Sequence, residues 1–352
     1  MKKLVAAAAI LAGLVLAPGA LAAPNSSKIS VSFDPAKLGS SGTATIHVNV
    51  ATTSDAVAQI NIFAPVGVAA NLSASAGTTI GSVDATAVAH DQGGLTLPLS
   101  GNVVADNPAS HTADACSPGT NQAVWNMNLS VAGQTLVIPI YVNPTTGAAA
   151  ALGSYVMRIC LPPWDVPVGA PGRAAFGAQL VDARLVLNSI FTSATTAGTG
   201  VWEMITTPWT PGKGTPNPAG TWEARGVVPL PVVLTIKATY NAKKNTWTLS
   251  GKLTEGGRPV PDFTVRISRG PSTKSLPKQS SATTSSSGTW KATGKLSPKK
   301  TTFFQARASA QERDFTQAGC QSPATAVAPA GCTSATLPGW AVTSAVVRVV
   351  KK

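Results

Sequence analysis

Across residues 43–50, apolar and polar side chains change places at every step. Ala44, Ile46, Val48 and Val50 fall on one side, and Thr43, Thr45, His47 and Asn49 on the other. A period of two is the geometry of a β-strand with one buried face. Similar segments occupy 29–33, 58–63, 123–131, 135–142, 154–160 and 178–187. Turn signals punctuate them: Asp34-Pro35, Gly39-Ser40-Ser41-Gly42, Gln92-Gly93-Gly94, Ala132-Gly133-Gln134 and Asn143-Pro144. No long helical pattern competes, and a chain that is 44% hydrophobic but only 12% charged lacks the residues that amphipathic helices display. Seven or more such strands predict a β-sandwich for residues 23–225, as one unit or two.

The chain begins with Lys2 and Lys3, an uncharged run over 4–17, a Pro18-Gly19 break and Ala20-Leu21-Ala22. This is the grammar of a secretory signal peptide, 1–22, and it predicts a secreted or cell-surface protein in which disulfides are permitted. No later apolar run has transmembrane length, so no helical membrane anchor is expected.

Charge then divides the remainder. Residues 23–225 carry seven Lys/Arg against ten Asp/Glu, whereas 226–352 carry eighteen against four, net −3 and net +14. The asymmetry predicts two modules, the second suited to polyanionic partners. The boundary falls just after a Pro/Gly-rich stretch, 208–218, which reads as a connector or a long hairpin loop.

In the second module the expected strands are 233–239, 246–254, 262–268, 289–296, 302–310 and 341–350. Leu249-Ser250-Gly251-Lys252-Leu253-Thr254, Gly256-Gly257-Arg258-Pro259-Val260-Pro261, Val265-Arg266-Ile267 and Ser287-Gly288-Thr289-Trp290 follow one another in that order. The series resembles the immunoglobulin-like, or prealbumin-like, β-sandwich modules of bacterial secreted and surface proteins. The resemblance implies an all-β architecture of tandem sandwich modules and an extracellular setting, and no chemistry.

Alternation also places the basic residues. With Trp247, Leu249 and Leu253 inward, Lys252 points out; the same reasoning exposes Arg266, Arg307, Arg348, Lys237, Lys291 and Lys295. Ordinary sandwich topology would gather the three arginines on one sheet and the four lysines on the other. Such faces either serve as solvated surfaces that discourage edge aggregation or bind an anionic cell-envelope polymer or extracellular polysaccharide. Interleaved aromatics are missing, and nucleic acid is not an expected partner.

Four cysteines allow three pairings, and spacing favours Cys116 with Cys160 and Cys320 with Cys332. No Cys-x-x-Cys pair exists, and His111 near Cys116 reads as a chance cluster in a polar loop, so no metal and no cofactor is expected. Catalytic signatures are also missing: there is no Gly-x-Ser-x-Gly, no His-Glu-x-x-His and no phosphate-cradling loop, and nothing selects a pair among Asp165, Asp182, Glu203 and Glu223. The alternative to adhesion through charge is carbohydrate binding by Trp164, Trp202, Trp209 and Trp222, set against a reading in which Trp125 and Trp202 fill the core and Trp164 and Trp209 seal loops. The sequence thus predicts a non-catalytic structural or adhesive protein.

Overall fold

A computed structural model of the chain describes residues 27–131, 134–195, 200–295, 301–311, 313–315, 335–337 and 339–350. The signal segment 1–22 and the expected Cys320–Cys332 bridge lie outside the described residues.

The first twelve strands are β1 (Lys28–Asp34), β2 (Ser41–Asn49), β3 (Val57–Ala64), β4 (Ala69–Ala70), β5 (Thr79–Ala89), β6 (Leu95–Asp106), β7 (Ala123–Val131), β8 (Gln134–Pro144), β9 (Tyr155–Cys160), β10 (Ala178–Thr192), β11 (Val201–Pro208) and β12 (Trp222–Val227). All join one antiparallel sheet in the order β1-β2-β10-β5-β6-β7-β8-β9-β3-β11-β12, with β4 added beside β10. The sheet curls until its last strand lies against its first. Trp222 Nε1 donates to the Ser27 carbonyl, and a Cβ on Gly226 would sit 2.8 Å from the Ile29 carbonyl oxygen. One hydrogen-bonded sheet running from β1 to β12 therefore wraps around the module, where two separate sheets were expected, and opposite walls still face each other across one core.

That core is built by the alternation. β1 buries Ile29, Val31 and Phe33 and exposes every residue between them. Trp125 from β7, Phe191 from β10 and Trp202 from β11 meet edge to face at its centre, with ring centroids 6.3 and 5.3 Å apart. Cys116 and Cys160 are bonded, Cα atoms 5.9 Å apart, which ties the loop before β7 to the end of β9. Closing the 44-residue separation stabilises by about 4 kcal/mol on a chain-entropy account. The stretch 208–218 is the loop of the β11–β12 hairpin.

Downstream lie β13 (Val232–Leu234), β14 (Lys237–Asn241), β15 (Thr246–Glu255), β16 (Arg258–Pro259), β17 (Thr264–Gly270), β18 (Lys278–Thr283), β19 (Thr289–Lys295), β20 (Thr302–Ala310), β21 (Arg313–Phe315), β22 (Ala335–Leu337), β23 (Trp340–Thr343) and β24 (Val347–Val349). One sheet gathers β13, β14, β16 and β19 around β15; the other gathers β18, β17, β20, β23 and β24, and β21 pairs with β22 alone. The segments expected at 233–239 and 341–350 are each divided in two. The two sheets share a separate core of Leu234, Trp247, Leu249, Leu253 and Trp290 against Val265, Ile267, Phe304, Ala306 and Val349, with Trp247 and Phe304 in ring contact at 4.9 Å. The first sheet system ends at Val227 and the next begins at Val232, and the Leu38 amide donates to the Gly256 carbonyl between them at 3.0 Å.

Two glycines make this sandwich possible. Trp247 stands opposite Gly294, and Trp290 opposite Gly251, in the β15–β19 ladder. Each indole lies over its glycine so closely that an added Cβ would come within 2.5 Å of the Trp247 ring or 2.6 Å of the Trp290 nitrogen.

Candidate binding surface

Register fixes what each outer face presents, because directly opposed residues share a face. On the β14-β15-β19 side, Lys237, Ser250 and Lys291 form one row, Thr239, Thr248 and Thr293 the next, and Asn241, Thr246 and Lys295 the third. Lys252 lies beyond them, opposite Thr289. All four lysines are exposed. On the other sheet Ser281, Arg266, Arg307 and Thr343 form a row, and Arg348 stands opposite Phe303. Arg266, Arg307 and Arg348 are exposed, and Arg307 Nε donates to Thr343 Oγ1 at 3.4 Å. The arginines therefore share one sheet and the lysines the other. Among the described residues, no carboxylate occupies an outward position in these strands. Arg269, by contrast, turns inward, its guanidinium 5.7 Å from the centre of the Trp247 ring.

The tryptophans set against charge as sugar platforms divide unevenly. Trp202 is a correction: it is fully buried, wedged between Phe33 and Phe191, and has no face to offer a ligand. Trp164 stacks on His90 at 3.6 Å, and Trp209 donates its indole N–H to the Leu161 carbonyl beneath the Pro162-Pro163 loop. Trp222 is the exposed ring of the four, at 43%.

His111 is the centre of a polar network joining β6, β7 and β8, while its sequence neighbour Cys116 is bonded to Cys160. Its Nδ1 lies 2.7 Å from Asp114 Oδ2 and its Nε2 3.1 Å from Asp106 Oδ2. Tyr141 donates to Asp114 and Asn126 to Asp106. Burial alone would lower the His111 pKa, but hydrogen bonds to Asp114 and then Asp106 outweigh it and raise the value. Asp114 is held down chiefly by Tyr141 and Asp106 chiefly by His111. In its protonated form His111 donates from both ring nitrogens, one to each carboxylate. The sequence separates these partners by up to 35 positions, so only their local spacing to His111 was visible.

His47, His90 and the acids Asp165, Asp182, Glu203 and Glu223 are also engaged. His47 Nε2 lies 2.7 Å from Asp182 on the outer face of the large sheet, both substantially exposed, and no serine hydroxyl among the described residues hydrogen-bonds to His47. Asp165 accepts the Gly212 amide, and Arg173 grips Asp91 with two nitrogens at 2.7 and 2.8 Å. Glu203 and Glu223 share Arg225, Glu203 at 3.8 Å and Glu223 in closer contact. Glu203 is 4% exposed; burial pushes its carboxyl up to about 7, with Arg225 opposing. Among the described residues no cluster of three or more His, Cys, Asp or Glu is arranged to hold a metal ion, and no helix is long and apolar enough to cross a membrane.

No protein-family model matches the chain, and no curated protein matches it. Among solved structures it is similar to a tetra-tandem repeat in the extending region of a large adhesion protein, at 12% identity and a TM-score of 0.27, over 93% of this chain and 100% of that one. A likeness of that degree carries no argument about function.

Proposed function

We propose that this is a secreted, non-catalytic structural or adhesive protein of the cell envelope or its surroundings, held to anionic polymer by its basic sandwich. The observation that carries the reading is the pair of outer sheet faces bearing seven exposed cations and, among the described residues, no opposing carboxylate. Uncompensated charge of one sign attracts polyanions over a Debye length of roughly 8 Å at physiological salt. Each exposed ion pair contributes only about 0.2–1 kcal/mol. One contact region therefore holds weakly, and repeated contacts along a polymer raise the effective concentration.

The test is retention of the protein on an immobilised linear polyuronate and on a neutral glucan across a salt series. Retention on the polyuronate alone, falling steadily with salt, is expected. Equal retention on both matrices at high salt would overturn the reading in favour of an aromatic sugar contact centred on Trp222.

A further inference from the structure

The two cationic faces belong to opposite sides of one sandwich. Their sheets pack through a shared apolar core in which Trp247 touches Phe304, and stacked sheets lie about 10 Å apart, so the outward side chains point in opposed directions. A polymer lying along the Lys237–Ser250–Lys291 row cannot also lie along the Arg266–Arg307 row without rounding a sheet edge. Resting on the polyanion reading above, we propose that the sandwich bridges two separate acidic polysaccharide chains, one on each face, and so acts as a cross-link within an extracellular matrix.

The chemistry of the faces fits carbohydrate on both sides. Lysine ammonium groups stand among threonine and serine hydroxyls, a surface that matches a chain rich in hydroxyl groups and spaced carboxylates. On the opposite face, paired guanidinium forks suit the two oxygens of a carboxylate. Phe303 is the one aromatic residue at an outward position on either face among the described residues, too few for the successive base stacking of a single-stranded nucleic acid.

Particles coated with a linear polyuronate, polygalacturonate, separate bridging from binding. Protein depleted from solution reports binding, and light scattering reports particle clustering. The full chain is expected to do both, with clustering lost again at saturating protein. An arginine-face variant (Arg266→Gln, Arg307→Gln, Arg348→Gln) and a lysine-face variant (Lys237→Gln, Lys252→Gln, Lys291→Gln, Lys295→Gln) should each still bind while losing at least tenfold in clustering. Binding without clustering by the full chain would overturn bridging and leave the polyanion reading standing. So would one variant losing both properties while the other keeps both, the pattern of a single working face. Absence of binding by the full chain would remove the polyanion reading itself, and bridging with it.

Discussion

Arg266 and Arg307 stand directly opposite each other on adjacent antiparallel strands, both exposed, with Ser281 and Thr343 as their outer neighbours. Like charges so placed repel and destabilise the sheet. Replacing Arg307 with Gln should therefore leave stability at low salt, read by thermal unfolding, unchanged or raised by up to about 0.5 kcal/mol, while weakening polyuronate binding several-fold. A residue kept only for folding would show the reverse, lower stability and unchanged binding.

The indoles of Trp247 and Trp290 leave no room for a side chain across the ladder. Gly251→Ala should cost about 1–3 kcal/mol, the range for overpacking a dense core, and Gly294→Ala a similar amount, read as a lower denaturant midpoint. Ser250→Ala, an outward neighbour in the same strand, should change stability by less than about 0.5 kcal/mol.

The His111 network contributes stability within a defined pH window. The folded pKa of His111 is raised, so its contribution is complete below the unfolded value near 6.5 and disappears as pH rises through the folded value. Asp106 and Asp114 are lowered, so theirs is complete above about 4 and disappears as pH falls through the folded values. His111→Gln should cost about 1–3 kcal/mol near pH 5.5 and progressively less above neutrality, measured by thermal unfolding across pH.

Glu203 depends on pH in the same direction as His111 and opposite to Asp106 and Asp114. Burial raises its folded pKa to about 7. Its contribution to stability is therefore complete below the unfolded value and falls as pH rises through about 7, where a buried carboxylate must ionise. Glu203→Gln removes that cost, so it should stabilise the protein by on the order of 2 kcal/mol above pH 8 and leave it nearly unchanged at pH 4. Arg225 retains Glu223 as a partner in the variant.

How much of this was legible in the sequence depended on exposure. Lys252, Arg266 and Lys291 alternate with Leu253, Ile267 and Trp290, so the period of two announced both the strands and the outward charge. β11 was not legible as a strand because residues from Val201 to Ile205 are buried on both faces, which erases the alternation. β18 failed for the opposite reason, since Lys278–Thr283 is polar but for Ala282 and nearly all exposed. β5 hides its inward face behind Ala85, Ala87 and Ala89, side chains too small to mark a strand. The His111 network was out of reach because Asp106, Asp114, Asn126 and Tyr141 converge only once β6, β7 and β8 are paired.

The most direct measurement is polyuronate affinity of the full chain beside a variant in which Arg266, Arg307, Arg348, Lys237, Lys252, Lys291 and Lys295 are all replaced by Gln, with thermal unfolding of both followed in the same buffer. Salt-sensitive binding by the parent chain, and its loss in a variant that still unfolds cooperatively at a similar temperature, is the predicted result. Undiminished binding by that variant would contradict the account, because the attraction would then come from somewhere other than the two basic faces.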